Sequence, residues 1–351
     1  MKTAPFLLSL LSLAGCSPAE VNLPALGDVP RPSPVAVEGA LRVGTARVDV
    51  TPAPGPSTFG HGPDAYAASG YWSRLYCRVF VLETEPGYPL AIVPCDLAAI
   101  GTALHREVGR RLHPRLPADR LMLSATHTHA GPAHYFEGPA YGGATSTRLP
   151  GFDSAMLEFL ADRIAQGLRD ALDHMRPARA RWNHSSLWGL TRNRSLHAFR
   201  NNTPELLASF PKAPEPSLAE AQKAIDPALD VLQLEELDPA RPGVVLGPLG
   251  TLAWFAMHPT VLPAQTRMFN ADAFGVASRE VERELVRARA SRGAPPADPL
   301  AGIVNTNEGD MSPSWIEGTA DEAMRIGQKL GRAIWATHTS GSPWRDRLRI
   351  D

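Results

Sequence analysis

Short apolar runs bounded by turn residues alternate along this chain with longer segments whose apolar residues recur every three or four positions. The short runs predict β-strands at residues 42–50, 75–83, 89–95, 120–126, 179–186, 229–236, 249–257 and 301–306. The longer segments predict helices at residues 101–113, 154–174, 274–289 and 319–337, with Asp153 as N-cap of the second. Strands that alternate with helices indicate an α/β fold, a layered domain with a mixed β-sheet flanked by helices.

Two histidines follow the fourth predicted strand. His127 and His129 are one residue apart, and side chains two positions apart on an extended backbone point to the same side, so both imidazoles can face one cavity. The seventh predicted strand runs into His258, and the eighth runs into a polar segment that contains Ser312. Ligands and catalytic groups of open α/β sheets gather beyond the carboxyl ends of the strands. We therefore expect one site at the carboxyl ends of these strands.

The two histidines that follow different strands, His127 and His258, are candidate ligands of a catalytic zinc ion (Zn2+). Such an ion usually takes three protein ligands and leaves one position for water or substrate. No spacing singles out the third ligand, and each nearby carboxylate could instead cap a helix or hold an imidazole. The four carboxylates near the expected edge are Asp96, Asp272, Glu308 and Asp310.

Ser312 has two interpretations. It lies before Pro313 and a predicted helix, which is a common position for a helix N-cap. Alternatively, the flexible Gly309 and the local carboxylates present its hydroxyl to the cleft, where a histidine or a metal ion activates it as a nucleophile.

Two long stretches without periodicity interrupt the pattern, at residues 134–152 and 192–228. Loops of this length in a compact domain are usually functional or disordered. The first stretch begins soon after His127 and His129 and carries Tyr135, Phe136 and Tyr141, so we interpret it as a wall of the active-site pocket.

The composition, with 44% hydrophobic and 20% charged residues among 351, is typical of a soluble globular protein with a substantial core. The formal net charge is −1, and no basic stripe is interleaved with aromatic residues. Neither feature favours nucleic acid as a partner.

The N-terminus has the pattern of a secretory signal, because Lys2 precedes an apolar run that is too short to span a bilayer. The sequence Leu-Ala-Gly-Cys that ends at Cys16 looks like a bacterial lipobox, in which the cysteine is lipidated; the alternative is an ordinary secretion signal. We expect a signal peptide at 1–15, a lipidated Pro-rich tether at 16–40 and a domain at 41–351. The expected location is the cell envelope, in the periplasm or at the outer membrane, as an exported lipoprotein held to the membrane through Cys16.

Two cysteines remain in the domain. Folding the second and third predicted strands about Pro86 places Cys77 directly opposite Cys95. A cross-strand disulfide and a pair of buried free thiols both fit this arrangement, since many opposed pairs cannot meet the geometry of the bond without strain.

Four segments together resemble motifs of the neutral/alkaline, non-lysosomal ceramidase family. Residues 126–132 read Thr-His-Thr-His-Ala-Gly-Pro and are similar to the family's His-Thr-His-Ser-Gly-Pro, with alanine in place of serine. Residues 193–202 contain its Asn-Arg-Ser and Asn-Asn segments. Residues 254–260 resemble its second histidine motif, and residues 307–313 its Gly-Asp-Val-Ser-Pro motif. Order and approximate spacing agree over residues 42–340.

This resemblance implies a zinc-dependent amidohydrolase that cleaves the N-acyl bond of ceramide, or a related N-acyl lipid, to a fatty acid and sphingosine. It implies that His127 and His258 bind Zn2+, that Ser312 is the nucleophile, and that His129 and Arg194 orient the amide and stabilise its oxyanion. The aromatic residues of the first long loop would receive acyl chains.

The family's remaining two zinc ligands, a Glu and a Tyr, are expected beyond residue 351, followed by an immunoglobulin-like domain. The chain is therefore expected to be a partial product, a shortened relative that completes its site differently, or an inactive one. A surface lipoprotein that keeps the fold but only binds a lipid or a partner is the alternative to an enzyme. A metallohydrolase of phosphates or lactams is disfavoured, because Ala130 and Gly131 interrupt the His-x-His-x-Asp-His pattern of metallo-β-lactamases.

Overall fold

The computed structural model describes residues 37–84, 89–338 and 341–350. Strands in this part of the chain are β1 (Val37–Asp49), β2 (Gly70–Tyr71), β3 (Tyr76–Thr84), β4 (Leu90–Cys95), β5 (Leu121–Ala125), β6 (Arg176–Ser186), β7 (Thr191–Asn193), β8 (Ala228–Leu237), β9 (Val245–Phe255), β10 (Met268–Phe269), β11 (Leu300–Asn305), β12 (Met311–Pro313) and β13 (Arg347–Ile350). Helices are α1 (Thr102–Leu112), α2 (Pro139–Gly142), α3 (Ser154–Asp173), α4 (Leu196–Arg200), α5 (Pro204–Ser209), α6 (Glu220–Lys223), α7 (Asp272–Ser291) and α8 (Ala320–Thr337).

The eight predicted strands correspond to β1, β3, β4, β5, β6, β8, β9 and β11, and the four predicted helices to α1, α3, α7 and α8. Asp153 caps α3 as expected, since its Oδ1 accepts a hydrogen bond from the backbone N–H of Ala155 at 2.9 Å. Residues 37–40, predicted as the end of the tether, belong to β1 because they pair with β13. The predicted signal peptide, Cys16 and the tether up to residue 36 lie outside the described residues.

Nine strands form one mixed sheet. Eight follow the order β11-β9-β8-β6-β1-β3-β4-β5, and β13 pairs with the beginning of β1. In the middle of this order, β6 and β1 share only two residue pairs, Arg42 with Pro177 and Val43 with Arg176. The sheet folds back on itself there, so that β1-β3-β4-β5 forms one half and β6-β8-β9-β11 the other.

The inner faces of the two halves pack against each other. Their shared core contains Leu41, Val43, Phe80, Leu82, Ile92, Ala178, Ala180, Leu234, Leu249, Leu252, Leu300 and Val304. Gly302 makes the close approach possible, because a Cβ there would lie 2.6 Å from Cγ of Pro94 and 3.0 Å from the ring of Phe80. Because Gly302 has no side chain, β11 can pass close to Phe80 of β3 and Pro94 of β4.

Helices cover both outer faces. Helices α1 and α3 pack on the first half through a core that includes Val79, Val93, Leu104 and Leu160. Helices α7 and α8 pack on the second half through a separate core that includes Phe255, Ile303, Phe274 and Leu330. The four layers confirm the predicted α/β fold with a mixed sheet flanked by helices. None of the helices in the described residues is long and apolar enough to cross a membrane.

Cys77 lies opposite Cys95 in the β3–β4 ladder, and a disulfide bond joins them. The sequence left this bond and a pair of free thiols as equal alternatives. The structure selects the bond, which links the two central strands of the first half directly beneath the site.

The second long loop was expected to lack regular structure, and this expectation was wrong. Residues 192–228 contain most of β7 and the short helices α4, α5 and α6. Strand β7 pairs with β12, a second strand that the sequence pattern did not reveal. Strands of three residues bury too few side chains to produce a recognisable alternation.

Candidate active site

Three imidazoles converge at the carboxyl ends of the strands, as predicted. The ring centroids of His127 and His258 are 4.5 Å apart, those of His127 and His129 4.9 Å, and those of His129 and His258 5.1 Å. One nitrogen of each residue lies within 4.8 Å of the corresponding nitrogens of the other two. The Nε2 atoms of His127 and His129 are 3.2 Å apart. His127, His129 and His258, here called the histidine group, are close enough together to bind one metal ion.

The turns that carry these histidines are fixed by backbone hydrogen bonds. The backbone N–H of His127 donates to Leu97 O at 2.9 Å, and that of His258 donates to Met311 O at 2.7 Å. His127 itself has a φ of +65°, a conformation that side chains other than glycine rarely adopt. Strain of this kind persists where surrounding contacts enforce it, as the hydrogen bonds of His127 to Leu97 O and Ala98 O do here.

In His127 and His258, the ring nitrogen Nδ1 lies on the outside of the group and donates a hydrogen bond to a backbone carbonyl. Nδ1 of His127 lies 2.5 Å from Ala98 O, and Nδ1 of His258 lies 3.0 Å from Glu308 O. Because a carbonyl can only accept, each Nδ1 carries the proton, and each Nε2 presents a lone pair to the centre of the group. This arrangement is the one in which imidazoles coordinate metal ions.

Burial is the main reason why His129 and His258 stay neutral. Burial, followed by the nearby His61, His127, His258 and Arg194, lowers the pKa of His129 to about 2. Burial is also the main cause that lowers the pKa of His258 to about 4. Neutral imidazoles at physiological pH suit a cation at their centre, since protonation would remove the lone pairs.

His129 occupies a niche that depends on a glycine. Gly60 has a φ of +102°, and a Cβ at this position would lie 2.6 Å from Cγ of His129. The ring of His61 packs edge-on against the ring of His129 with a centroid distance of 4.9 Å. Nδ1 of His129 is buried and has no hydrogen-bond partner among the described residues. An unpartnered buried nitrogen costs free energy, so His129 is held there by packing.

Arg194 reaches the same place from β7. Its Nη2 lies 3.4 Å from Nε2 of His258 and donates to Gly309 O at 2.8 Å. Asn193 anchors this arm, because its Nδ2 donates to Oδ2 of Asp310 at 2.7 Å. The structure therefore brings Arg194 together with the three histidines, as the family resemblance implied.

Ser312 is not a helix N-cap. It lies in β12, paired with Arg192 of β7, and it is largely buried. Thr319 caps α8 instead, in a capping box with Glu322. Within residues 37–84, 89–338 and 341–350, no hydrogen bond joins Ser312 to a histidine. Its neighbour Met311 accepts from His258 through the backbone, so Ser312 lies beside the group without contacting it through a hydrogen bond.

None of the four carboxylates considered as a third ligand belongs to the histidine group in the part of the chain that the structure describes. Asp96 is buried in an ion pair with Arg78 at 3.1 Å. Asp272 accepts from the backbone N–H groups of Leu262 and Ala273 at the start of α7. The other two act locally: Glu308 orients His258 through its carbonyl oxygen, and Asp310 anchors Asn193.

The interpretation of the first long loop as a wall for acyl chains was wrong for two of its three aromatic residues. Tyr135 and Phe136 are buried in the core beneath α1 and α3, and the hydroxyl of Tyr135 donates to Ala99 O. Tyr141 remains exposed and stacks with Phe59 at a centroid distance of 5.8 Å.

Two residues that position the site escaped the sequence-based predictions. Asn305 ends β11, and its side chain bonds to both histidine-bearing turns. Its place at the end of a strand, at the same edge as the histidines, was the available signal. No sequence signal marked Gly60, because only the folded structure brings this residue beside His129.

The chain belongs to the neutral/alkaline non-lysosomal ceramidase family. The family's N-terminal region matches residues 41–328, which confirms the resemblance found in the four motifs.

Relatives and solved structures agree with this assignment. The neutral ceramidase of Mycobacterium tuberculosis is 28% identical over 78% of this chain and 40% of that protein. The neutral ceramidase of Pseudomonas aeruginosa is 26% identical over 90% of this chain and 41% of that protein. The crystal structure of the P. aeruginosa enzyme superimposes with a TM-score of 0.69 at 25% identity, covering 87% of this chain and 45% of that one. The chain thus spans less than half the length of these relatives.

Proposed function

We propose that this protein is a zinc-dependent amidohydrolase that cleaves the N-acyl amide bond of ceramide to a fatty acid and sphingosine. The observation that carries the proposal is the convergence of His127, His129 and His258 with Arg194 at one edge of a ceramidase-family fold. An amide needs an activated nucleophile, stabilisation of its oxyanion and a proton for the leaving amine, and this edge offers groups for each.

The donor set fits a metal ion. His127 and His258 both present Nε2 because their Nδ1 protons are bound by backbone carbonyls, and both are candidates for the ligands. Zinc is consistent with neutral imidazole ligands, and when bound it acts as a Lewis acid toward a carbonyl oxygen. His129 lies close enough to complete the set of three or to contact the substrate beside it.

Arg194 is proposed to stabilise the oxyanion. Its guanidinium is held by Gly309 O on one edge and approaches His258 on the other, so it is oriented before substrate arrives. A fixed donor aimed at developing charge accelerates acyl transfer more than one that must reorganise. His129, kept neutral by burial, can hydrogen-bond to the amide without bringing a positive charge of its own.

Ser312 is the proposed nucleophile. Ser312 follows Met311 in β12, and the carbonyl of Met311 accepts a hydrogen bond from the backbone N–H of His258. The carbonyl of Asp310, two residues before Ser312, accepts from the backbone N–H of Arg194. These two hydrogen bonds lie at the Met311–Asn193 end of the β7–β12 ladder, and they tie the serine's position to the groups that would surround the amide.

A lipid chain could be accommodated beside this ladder. A groove of about 460 Å³ has an apolar side, and its polar lining is Ser209, Asp226, Asn307 and Asp310. The apolar side consists of Leu206, Phe210, Pro211 and Met311. The groove is formed by α5 and the segment after it, within the second long loop. We propose this groove, in place of Tyr135 and Phe136, as the surface that takes an acyl or sphingoid chain.

The test is hydrolysis of a fluorogenic ceramide by the full chain, with and without a chelator, in wild type and three variants. We expect chelation and Ser312→Ala each to abolish turnover, and Arg194→Met to lower kcat by about 100-fold, the typical cost of losing one oxyanion donor. Ser291→Ala, which removes a hydroxyl bonded only to its own helix, serves as the matched control. Chelator-insensitive turnover, or full activity of Ser312→Ala, contradicts the proposal.

We also propose that the protein is an exported lipoprotein held at the cell envelope through Cys16. The lipobox-like sequence before this residue supports the idea. Incorporation of an alkyne-labelled fatty acid into wild type but not into Cys16→Ser is the expected result. Equal labelling of both proteins contradicts it.

A further inference from the structure

A second pocket lies on the outer face of the β6-β8-β9-β11 half, away from the histidines. Pro248 and Thr251 line it from the first half of β9, whereas His258 follows the other end of that strand. Its walls are the carboxyl-terminal parts of α7 and α8 and the segment that contains Trp344. The cavity volume is about 230 Å³. This is below the roughly 300–1,000 Å³ of sites for drug-sized molecules, so an occupant must be small.

Positive charge around this pocket exceeds negative charge. The carboxylate of Glu235 already binds two guanidinium groups, since Nε of Arg179 lies 2.9 Å from Oε2 and Nη1 of Arg292 lies 2.8 Å from Oε1. Arg181 lines the same pocket. One carboxylate therefore faces three arginines, and the pocket is short of negative charge.

Arg181 has only neutral acceptors. It donates to the side-chain oxygen of Gln233 and to the backbone carbonyl of His338, and it forms no ion pair with any residue in the described ranges. His338 adds no negative charge, since burial lowers its imidazole pKa to about 3 and keeps it neutral. Glu235 is the nearby counter-charge of Arg181, but Arg179 and Arg292 already bind it, so Arg181 is only partly compensated and an anionic ligand would relieve the cost of its partial burial.

The pocket also has an apolar side. The guanidinium groups of Arg179 and Arg181 each lie 4.5 Å from the ring centroid of Trp344. Nε and Nη2 of Arg181 already donate to Gln233 and His338, but its Nη1 donates to no acceptor in the described residues, and stacking leaves this nitrogen available to a carboxylate. Trp335, Leu285 and Ala288 supply apolar surface next to these donors.

We propose that this pocket, the Arg181 pocket, binds a small carboxylate that carries a compact apolar group. The carboxylate pairs with Arg181, and the apolar group lies against Trp335 and Leu285. This site is independent of the amide-cleaving site, because it uses no residue of the histidine group and lies on the outer face of the sheet, away from the carboxyl ends that carry the histidines.

The experiment is a titration of the 15N-labelled full chain with benzoate, followed by NMR of the indole N–H groups. Benzyl alcohol, which has the same ring and no charge, is the matched ligand. We expect benzoate to shift the Trp335 and Trp344 resonances, to leave Trp72 and Trp188 unchanged, and to bind at least tenfold more tightly than benzyl alcohol.

Substitutions of arginine residues test whether Arg181 supplies the positive charge that binds benzoate. Arg181→Gln is expected to weaken benzoate at least tenfold, Arg181→Lys to restore part of the loss, and Arg110→Gln, on the exposed side of α1, to change nothing. Arg292→Gln, whose side chain is 43% exposed, reports on the same pocket if Arg181→Gln does not fold; weakening by severalfold is expected. Equal affinities for benzoate and benzyl alcohol, unmoved Trp335 and Trp344 resonances, or undiminished binding by a folded Arg181→Gln overturns the proposal.

Discussion

The side-chain amide of Asn305 donates a hydrogen bond to the backbone carbonyl of Thr126 at 3.0 Å. Thr126 immediately precedes His127. The same amide donates to Met257 O at 3.0 Å and accepts from Met257 N at 3.2 Å, and Met257 immediately precedes His258. One side chain at the end of β11 therefore sets the spacing between the two histidine-bearing turns.

Replacing Asn305 by aspartate should weaken metal binding. Aspartate has the same shape but no N–H donors, and its charge would face the carbonyl oxygens of Thr126 and Met257. Residues that orient metal ligands typically contribute 10–100-fold in affinity, so we expect zinc affinity to fall by about that factor. Competition with a chromophoric chelator measures it.

Asn202→Asp is the control for this change, because its amide also donates to a backbone carbonyl, that of Phe199, and makes no hydrogen bond in the described residues to either histidine-bearing turn. Its zinc affinity should match wild type. An Asn305→Asp variant that folds and binds zinc like the control would show that Asn305 does not set the ligand spacing.

Gly60→Ala should disturb His129, whereas Gly55→Ala should not. Both glycines have positive φ, +102° and +129°, so alanine strains the backbone at either position by on the order of 1–3 kcal/mol. Only at Gly60 does the new Cβ meet His129; at Gly55 nothing lies within 4 Å. Denaturant unfolding should therefore show lower stability in both variants, with the larger loss in Gly60→Ala, while ceramide hydrolysis falls only in Gly60→Ala. Equal activities of the two variants would refute the role of the niche.

Much of the fold and the main site residues could be predicted from the sequence because they leave local signals. Strands β5 and β9 are apolar runs that end in His127 and His258, and the periodicity of α3 is complete from its cap onward. The rest depends on contacts between distant segments. The β7–β12 ladder, which holds Arg194 near Ser312, joins residues more than 100 positions apart. No sequence pattern in either three-residue strand predicts this pairing.

Arg78→Met should strongly destabilise the fold. Its guanidinium binds Asp96 and Glu282 at 3.1 Å each, and all three side chains are buried. Removing the shared cation leaves the buried Asp96 without an ion-pair partner in the described residues and leaves Glu282 paired only with Arg47, which costs about 3–5 kcal/mol. Denaturant unfolding measures the change. Arg110, whose side chain is exposed, pairs with Glu107, so Arg110→Met should cost less than about 1 kcal/mol, and equal losses in the two variants would contradict the account.

His338 should make stability depend on pH. Burial lowers its pKa in the folded protein to about 3, whereas the unfolded value is near 6.5. The unfolded state therefore binds the proton first, so stability is fully present above pH 6.5 and is lost as pH falls from 6.5 toward 3, by about 1.4 kcal/mol per unit. His338→Gln should lose roughly 2 kcal/mol less than wild type between pH 7 and pH 5. Parallel stability curves for the two proteins would rule out this role.

The most direct test of the central claim is a zinc titration of ceramide hydrolysis by the chelator-treated full chain. The convergence of His127 and His258 at one point predicts that activity returns with added zinc and saturates at one ion per chain. His258→Ala should neither bind the ion stoichiometrically nor recover activity. Ceramide hydrolysis that persists without zinc, or a folded wild-type chain that neither binds zinc nor cleaves ceramide when zinc is supplied, would contradict it.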